Sequence, residues 1–118
     1  MAHTIPENFV HTRSTPFWNK KSVPKALLTH HSTKKGVFGR LSVMRGAVKY
    51  FGFASEKETE PEMALTISAG QFGISPPQYW HRIELLTDDT CFNIEFFASP
   101  DIPLTGKGFE REVHIPAA

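Results

Sequence analysis

The sequence predicts an all-β fold: one antiparallel barrel or sandwich. Three observations carry this. Nine prolines and eight glycines cut the 118 residues into short pieces; several of those pieces alternate apolar and polar residues with the period of two of a half-buried strand; and few segments repeat apolar residues at helical spacing. A chain of this length is near the common domain size and can bury a core without disulfides or a structural metal. Residues 1–118 are therefore expected to form a single domain, with segment 1–24 and tail 104–118 peripheral.

The elements follow in order. "NFVHTRSTPFW" (8–18) is strand-like and leaves apolar residues that a monomer this small would expose, so a second copy is the simplest cover and a homodimer is expected. In "GVFGRLSVMRG" Val37, Leu41 and Val43 alternate with Phe38, Arg40 and Ser42. Arg45-Gly46 then turns the chain into "AVKYFGF", a hairpin pattern in which the turn residues sit between two alternating runs. "EMALTIS" sets Met63, Leu65 and Ile67 against Ala64, Thr66 and Ser68; Ala69-Gly70 turns into "QFGIS", and Pro76-Pro77 stop it. "WHRIELL" and "CFNIEFF" are two further strands joined by Thr87-Asp88-Asp89-Thr90, whose side chains readily bond their own backbone. "ASEKETEPE", between Phe53 and Met63, is the most polar loop.

Charge narrows the function. Thirteen Lys plus Arg against twelve Asp plus Glu leave +1, and the basic residues are spread, so no field gathers nucleic acid or an anionic membrane. Lys20-Lys21, Lys25 and Lys34-Lys35 are read as a solvated face. No apolar run reaches signal-peptide or membrane-spanning length. The single cysteine, Cys91, lies in an apolar run and makes no internal disulfide; a cytoplasmic location is expected.

The candidate chemistry lies in "SPPQYWHRIE" (75–84), where His81 follows two prolines and two aromatics. Proline fixes its own φ and holds the preceding residue extended. Pro76-Pro77 should thus form a stiff exit from the "QFGIS" strand that sets His81 at a fixed height on the rim of a barrel. There it could ligate a metal, polarise a substrate, or serve as a hydrogen-bonded core histidine. Gly70, Pro76 and His81 stand at offsets of six and five. This spacing resembles the second motif of the cupin superfamily, in which a glycine turn starts a short strand, a proline ends it, and a histidine points into a small barrel. Gln78 stands where cupins usually have a second glycine, and Leu85 where they have asparagine. The first cupin motif, His-x-His with a following glutamate, has its place in "THHSTKKGVFGRLSVMRG". Here the histidines are adjacent, His30 and His31, so at most one enters the barrel, and Gly39 or Arg40 falls near the glutamate's place.

A closer similarity is to the YeaR-like proteins, a small family within the cupins that also resembles the N-terminal domain of the tellurite-resistance protein TehB. It is carried by "HTRSTPFWNK" (11–20), "HSTKKGVFGRLSVMRGAVKYFG" (31–52) and "AGQFGISPPQYWHRIELLTDDTCFNIEFF" (69–97). The resemblance implies a cupin-type barrel (a double-stranded β-helix, or jelly roll) and an association with tellurite and nitrosative stress rather than a defined reaction. TehB carries a methyltransferase domain; here no glycine-rich cofactor turn follows a strand and opens a helix.

Imidazole suits zinc, iron, copper and nickel. The expected ligands of a divalent metal, zinc first with iron or nickel as alternatives, are His31 and His81. His11 is a third candidate if the N-terminal segment folds back across the barrel. Glu95 is a fourth, as the only carboxylate in the final apolar strand. Phe17, Trp18, Tyr79 and Trp80 are read either as pocket-lining or as core and dimer contacts. The expected function is a metal-binding stress-response cupin that binds or transforms a small polar molecule or oxyanion. The alternative is a ligand-sensing or protein-interaction module without metal. An isomerase-like cupin is disfavoured because no carboxylate and base pair near the histidines.

Overall fold

In the computed structural model, residues 4–101 are described; the tail 104–118 lies outside them. Among the described residues eight strands form: β1 (Val10–Ser14), β2 (His31–Ser32), β3 (Val37–Arg45), β4 (Ala47–Phe53), β5 (Met63–Ser68), β6 (Phe72–Ser75), β7 (Trp80–Leu85) and β8 (Cys91–Ala98). One 3-10 turn, Lys25–Leu28, precedes β2. The strands make two four-stranded antiparallel sheets, ordered β1-β8-β3-β6 and β2-β7-β4-β5. The sheets do not close on each other, so the closed barrel expected from the sequence is replaced by two sheets around one core. Strand alternation is a local signal, whereas closure depends on which strand pairs with which across the molecule.

The alternation fixes the layers. Val37, Gly39, Leu41 and Val43 of β3 turn inward, as do Phe92, Ile94, Phe96 and Ala98 of β8. Phe92 and Phe96 are essentially inaccessible to solvent, each burial contributing about 1.5–3 kcal/mol. Residues of the opposite parity form the outer layer. There Arg40 donates to Glu95 Oε1 from Nη2 at 2.6 Å and from Nε at 3.1 Å, while its guanidinium lies over the rings of Phe97 and Phe72. β5 departs from its expected pattern. As an edge strand paired only with β4, it buries Ile67 but leaves Leu65 exposed.

Within the N-terminal part of the chain, β1 supplies the other sheet's edge. β1 pairs with β8 through a bulge between His11 and Arg13. Beyond it, Trp18 exchanges backbone hydrogen bonds with Phe92, at 2.7 and 3.0 Å, and packs edge-on against that ring. Phe17 stays half exposed. Cys91 is a half-buried free thiol.

The β3–β4 turn has no room for a side chain. Gly46 has φ +70°, and a Cβ there would lie 2.8 Å from the Thr90 backbone, with the Thr87 and Thr90 hydroxyls still nearer. Thr90 is fully buried, its hydroxyl donating to Ala47 O and receiving the Thr87 N–H. The 87–90 connection is thereby locked onto the hairpin. Gly70 has φ +86° but open space around it. Gly70→Ala should therefore cost only the left-handed strain, roughly 1 kcal/mol, whereas Gly46→Ala adds the collision and should cost clearly more. Urea midpoints of the two variants check this; equal losses would mean the turn yields.

Candidate functional site

The site is built by one cross-strand pair. β2 is two residues long, and its register sets His31 directly opposite His81 of β7. Facing positions on antiparallel strands hold their side chains within contact, and the two imidazole centroids are 4.1 Å apart, edge to face. His81 is buried, with the Tyr50 ring stacked on it at 5.0 Å between centroids. The rim position expected for His81 is thus corrected to an interior one, because the odd residues of β7, His81 and Ile83, face the core.

Hydrogen bonding assigns the tautomers. His31 Nδ1 is 2.9 Å from Thr29 O, and His81 Nδ1 is 2.8 Å from Tyr79 O. A carbonyl only accepts, so each Nδ1 carries the proton and each neutral ring keeps its lone pair on Nε2. Burial keeps both rings neutral. Desolvation, followed by the neighbouring His31, lowers His81 to a pKa of about 3. Desolvation also lowers His31, against the opposing pull of the Thr29 carbonyl. Burial raises the Tyr50 phenol above its usual range, and its hydroxyl is 2.8 Å from Ser75 Oγ. Ser75 Oγ in turn lies 3.4 Å from His81 Nδ1.

These groups bound a cavity of about 20 Å³. His31, His81, Tyr50, Ser75 and Thr33 give it polar walls; Leu27, Leu41, Ile83, Ile94 and Phe96 give apolar ones, and Gly39 and Gly73 complete it. A single water needs roughly 10–15 Å³ of such space, so the enclosed part holds one water or one ion.

The other sequence candidates lie elsewhere. His11 is exposed on β1, with Nε2 2.7 Å from Ser14 Oγ and its ring against Phe97. Glu95 is on the outer face of β8, paired with Arg40; the inward residues of that strand are its even-numbered neighbours. Neither reaches the pocket. His30 lies against the Phe53 ring in a tilted contact and bonds Glu58 O through Nε2. Phe17, Trp18, Tyr79 and Trp80 do not line the pocket. Tyr79 acts through its backbone carbonyl, while its phenol donates to Glu62 at 2.6 Å. Among the described residues, no group of three or more His, Cys, Asp or Glu could hold a metal ion.

Tyr50, Ser75 and Thr33 were not singled out from the sequence. Tyr50 was within reach, since it shares the inward parity of Val48 on β4. Ser75 is in phase with Gly73 on β6 and Thr33 with His31, but both are small polar residues without an apolar alternation to mark them as inward. The turn delivering His81 has a feature that the sequence hinted at. Gln78 has φ 59°, a left-handed conformation in which glycine is at ease, and it stands where the cupin motif has glycine. Its N–H bonds Thr33 O at 2.8 Å, tying the β6–β7 turn to the segment after β2.

Two antiparallel sheets enclose one core, and a small pocket lined by His31 and His81 lies within it. The chain belongs to the TehB-like family: the model of the TehB-like domain matches residues 13–94. It is 50% identical over 113 residues to the YeaR protein of Escherichia coli strain K12, covering 93% of this chain and 95% of that one. A crystal structure of an E. coli K12 protein superposes with a TM-score of 0.81 at 53% identity, covering 84% of this chain and 99% of that one. The probable S-adenosyl-L-methionine-dependent methyltransferase TehB of Haemophilus influenzae (Rd) is 28% identical over 102 residues, 86% of this chain but 35% of TehB. The crystal structure of H. influenzae TehB shares the fold at a TM-score of 0.75 and 22% identity, over 95% of this chain and 37% of that one. No helix among the described residues is long and apolar enough to cross a membrane.

The depressed histidines set a pH dependence. Unfolded, each takes a proton near pH 6.5; folded, His81 resists protonation down to about pH 3. Between these values the unfolded state binds more protons, so stability is full above pH 6.5 and falls as the pH drops, by up to ~1.4 kcal/mol per pH unit per histidine. Urea midpoints between pH 7 and 4 should fall less steeply for His81→Gln than for wild type. Parallel slopes would mean that His81 does not stay neutral in the fold.

Proposed function

We propose that this chain is a metal-binding stress-response module of cupin type, related to tellurite resistance. It would hold a divalent metal, zinc first and iron or nickel as alternatives, on His31 and His81. The observation that carries the reading is the cross-strand pair: two buried imidazoles, both neutral, with both Nδ1 atoms anchored to backbone carbonyls. Such anchoring fixes the ring orientation and leaves Nε2 as the ligand atom. The cavity has the size of one ion.

The two-imidazole set is too small for a closed centre and one donor short of the usual open one. Structural zinc takes four protein ligands and catalytic zinc usually three, whereas only two imidazoles meet here. A bound metal would supply Lewis acidity toward a small polar molecule or oxyanion filling its remaining positions. The chain's own part is to present two lone pairs, with the Tyr50 and Ser75 hydroxyls beside them, and to keep bulk water out. His11 and Glu95 have no part in this reading, since neither lines the pocket.

The cupin assignment is supported by the strand order of the two sheets and by the Gly70, Pro76, His81 spacing. We place the module in the cytoplasm as a homodimer of single-domain chains. Exposed Val10 and Phe17 on the N-terminal segment, at 44% and 50%, favour a second copy. Nucleic acid and membrane are not among its partners in this reading, given the spread of its basic residues.

The lack of a third His, Cys, Asp or Glu donor among the described residues favours a second reading, a metal-free pocket that senses a small hydrogen-bond donor. Zinc titration by calorimetry, with elemental analysis of tag-free protein, decides between them. Wild type should bind one zinc per chain; His31→Ala and His81→Gln should each bind at least about ten-fold more weakly. Glutamine is chosen at 81 because alanine would leave a void in a buried site. A wild type that neither retains nor takes up metal selects the metal-free reading.

A further inference from the structure

One inward position on β3 has no side chain, and it lines the pocket. Gly39 lies between the inward residues Val37 and Leu41, and it lines the cavity with His31 and His81. No backbone demand explains the glycine. Its φ is outside the left-handed region, and a Cβ built there would meet Ile94 and Phe96 at 3.6–3.9 Å, ordinary van der Waals contact. The fold would accept alanine, and glycine within a strand is itself unfavourable. Gly73, on the facing strand β6, is different: a Cβ there would come within 2.7 Å of Ile67 Cδ1, so packing explains its glycine.

The sizes decide what the missing methyl is for. The enclosed space is about 20 Å³, little more than the roughly 10–15 Å³ that a single water needs by the same measure. A methyl group in that space would leave no room for an occupant beside the imidazoles. We infer that Gly39 is the specificity-determining residue of the His31–His81 pocket: its absent side chain is the volume the occupant takes. The pocket therefore admits an occupant of one-water or one-ion size, and any larger oxyanion or polar molecule reaches it with a single atom. This rests on the reading of the histidine pair as the binding site and adds the size class of what enters.

The test compares wild type with Gly39→Ala by zinc calorimetry, urea denaturation and ¹⁵N NMR of the histidine rings. Alanine should leave the urea midpoint unchanged or higher while zinc binding weakens at least ten-fold. Equal zinc affinity in the two proteins overturns the role of Gly39 and leaves the histidine pair standing as the site. If neither protein binds zinc, the metal reading fails, and the ring spectra then decide. A water held against Nε2 in wild type and expelled by alanine must shift the His81 Nε2 resonance; an unchanged resonance overturns the inference. An unfolded or strongly destabilised Gly39→Ala also overturns it, because the glycine would then serve packing.

Discussion

The site depends on a single register: β2 meets β7 with His31 facing His81. A one-residue slip would bring His30 to the pair and send His31 to the other face. The actual register is held from outside the two-residue strand. Leu27, in the 3-10 turn before β2, is buried in the core, and Gln78 of the β6–β7 turn bonds Thr33 just after β2. Both ends of the strand are thus pinned, one by apolar burial and one by a hydrogen bond, and the strained φ of Gln78 belongs to the second pin.

Burial then determines the chemistry. Two imidazoles in contact inside a core cannot both be charged, because each loses hydration and each repels the other's proton. Their Nδ1–H groups meet carbonyls, so each ring keeps a lone pair on Nε2, and both rings line a space of about 20 Å³. That combination suits a metal ion or a hydrogen-bond donor and offers no positive charge to an anion. An oxyanion would need a cation already bound between the rings.

Much of the fold was legible because strand alternation is written locally. β3, β4, β6, β7 and β8 lie where the apolar–polar pattern put them, and the Gly46 turn and the Thr87–Thr90 connection are where turn chemistry put them. The separation of the sheets was not legible, since it rests on pairings such as β3 with β8, distant in sequence. At the site, the juxtaposition of His31 with His81 is a tertiary fact that no spacing gives, although each residue could be chosen on its own. Glu95 was misplaced despite an available signal: it alternates with Phe92, Ile94 and Phe96 and so had to face outward, as Arg40 does between Val37 and Leu41. Ser75 closes β6 opposite Gly39 and in phase with Gly73, and Thr33 keeps the parity of His31, so both follow from strand parity only once β6 and β2 are placed beside the pocket.

The most direct measurement is the protonation and tautomeric state of the two rings in the metal-free protein, read from ¹⁵N–¹H correlations of histidine-labelled chain at pH 6. This account requires both His31 and His81 to be neutral, with the proton on Nδ1 and a bare Nε2. An imidazolium pattern at either ring, or a proton on Nε2, would contradict it.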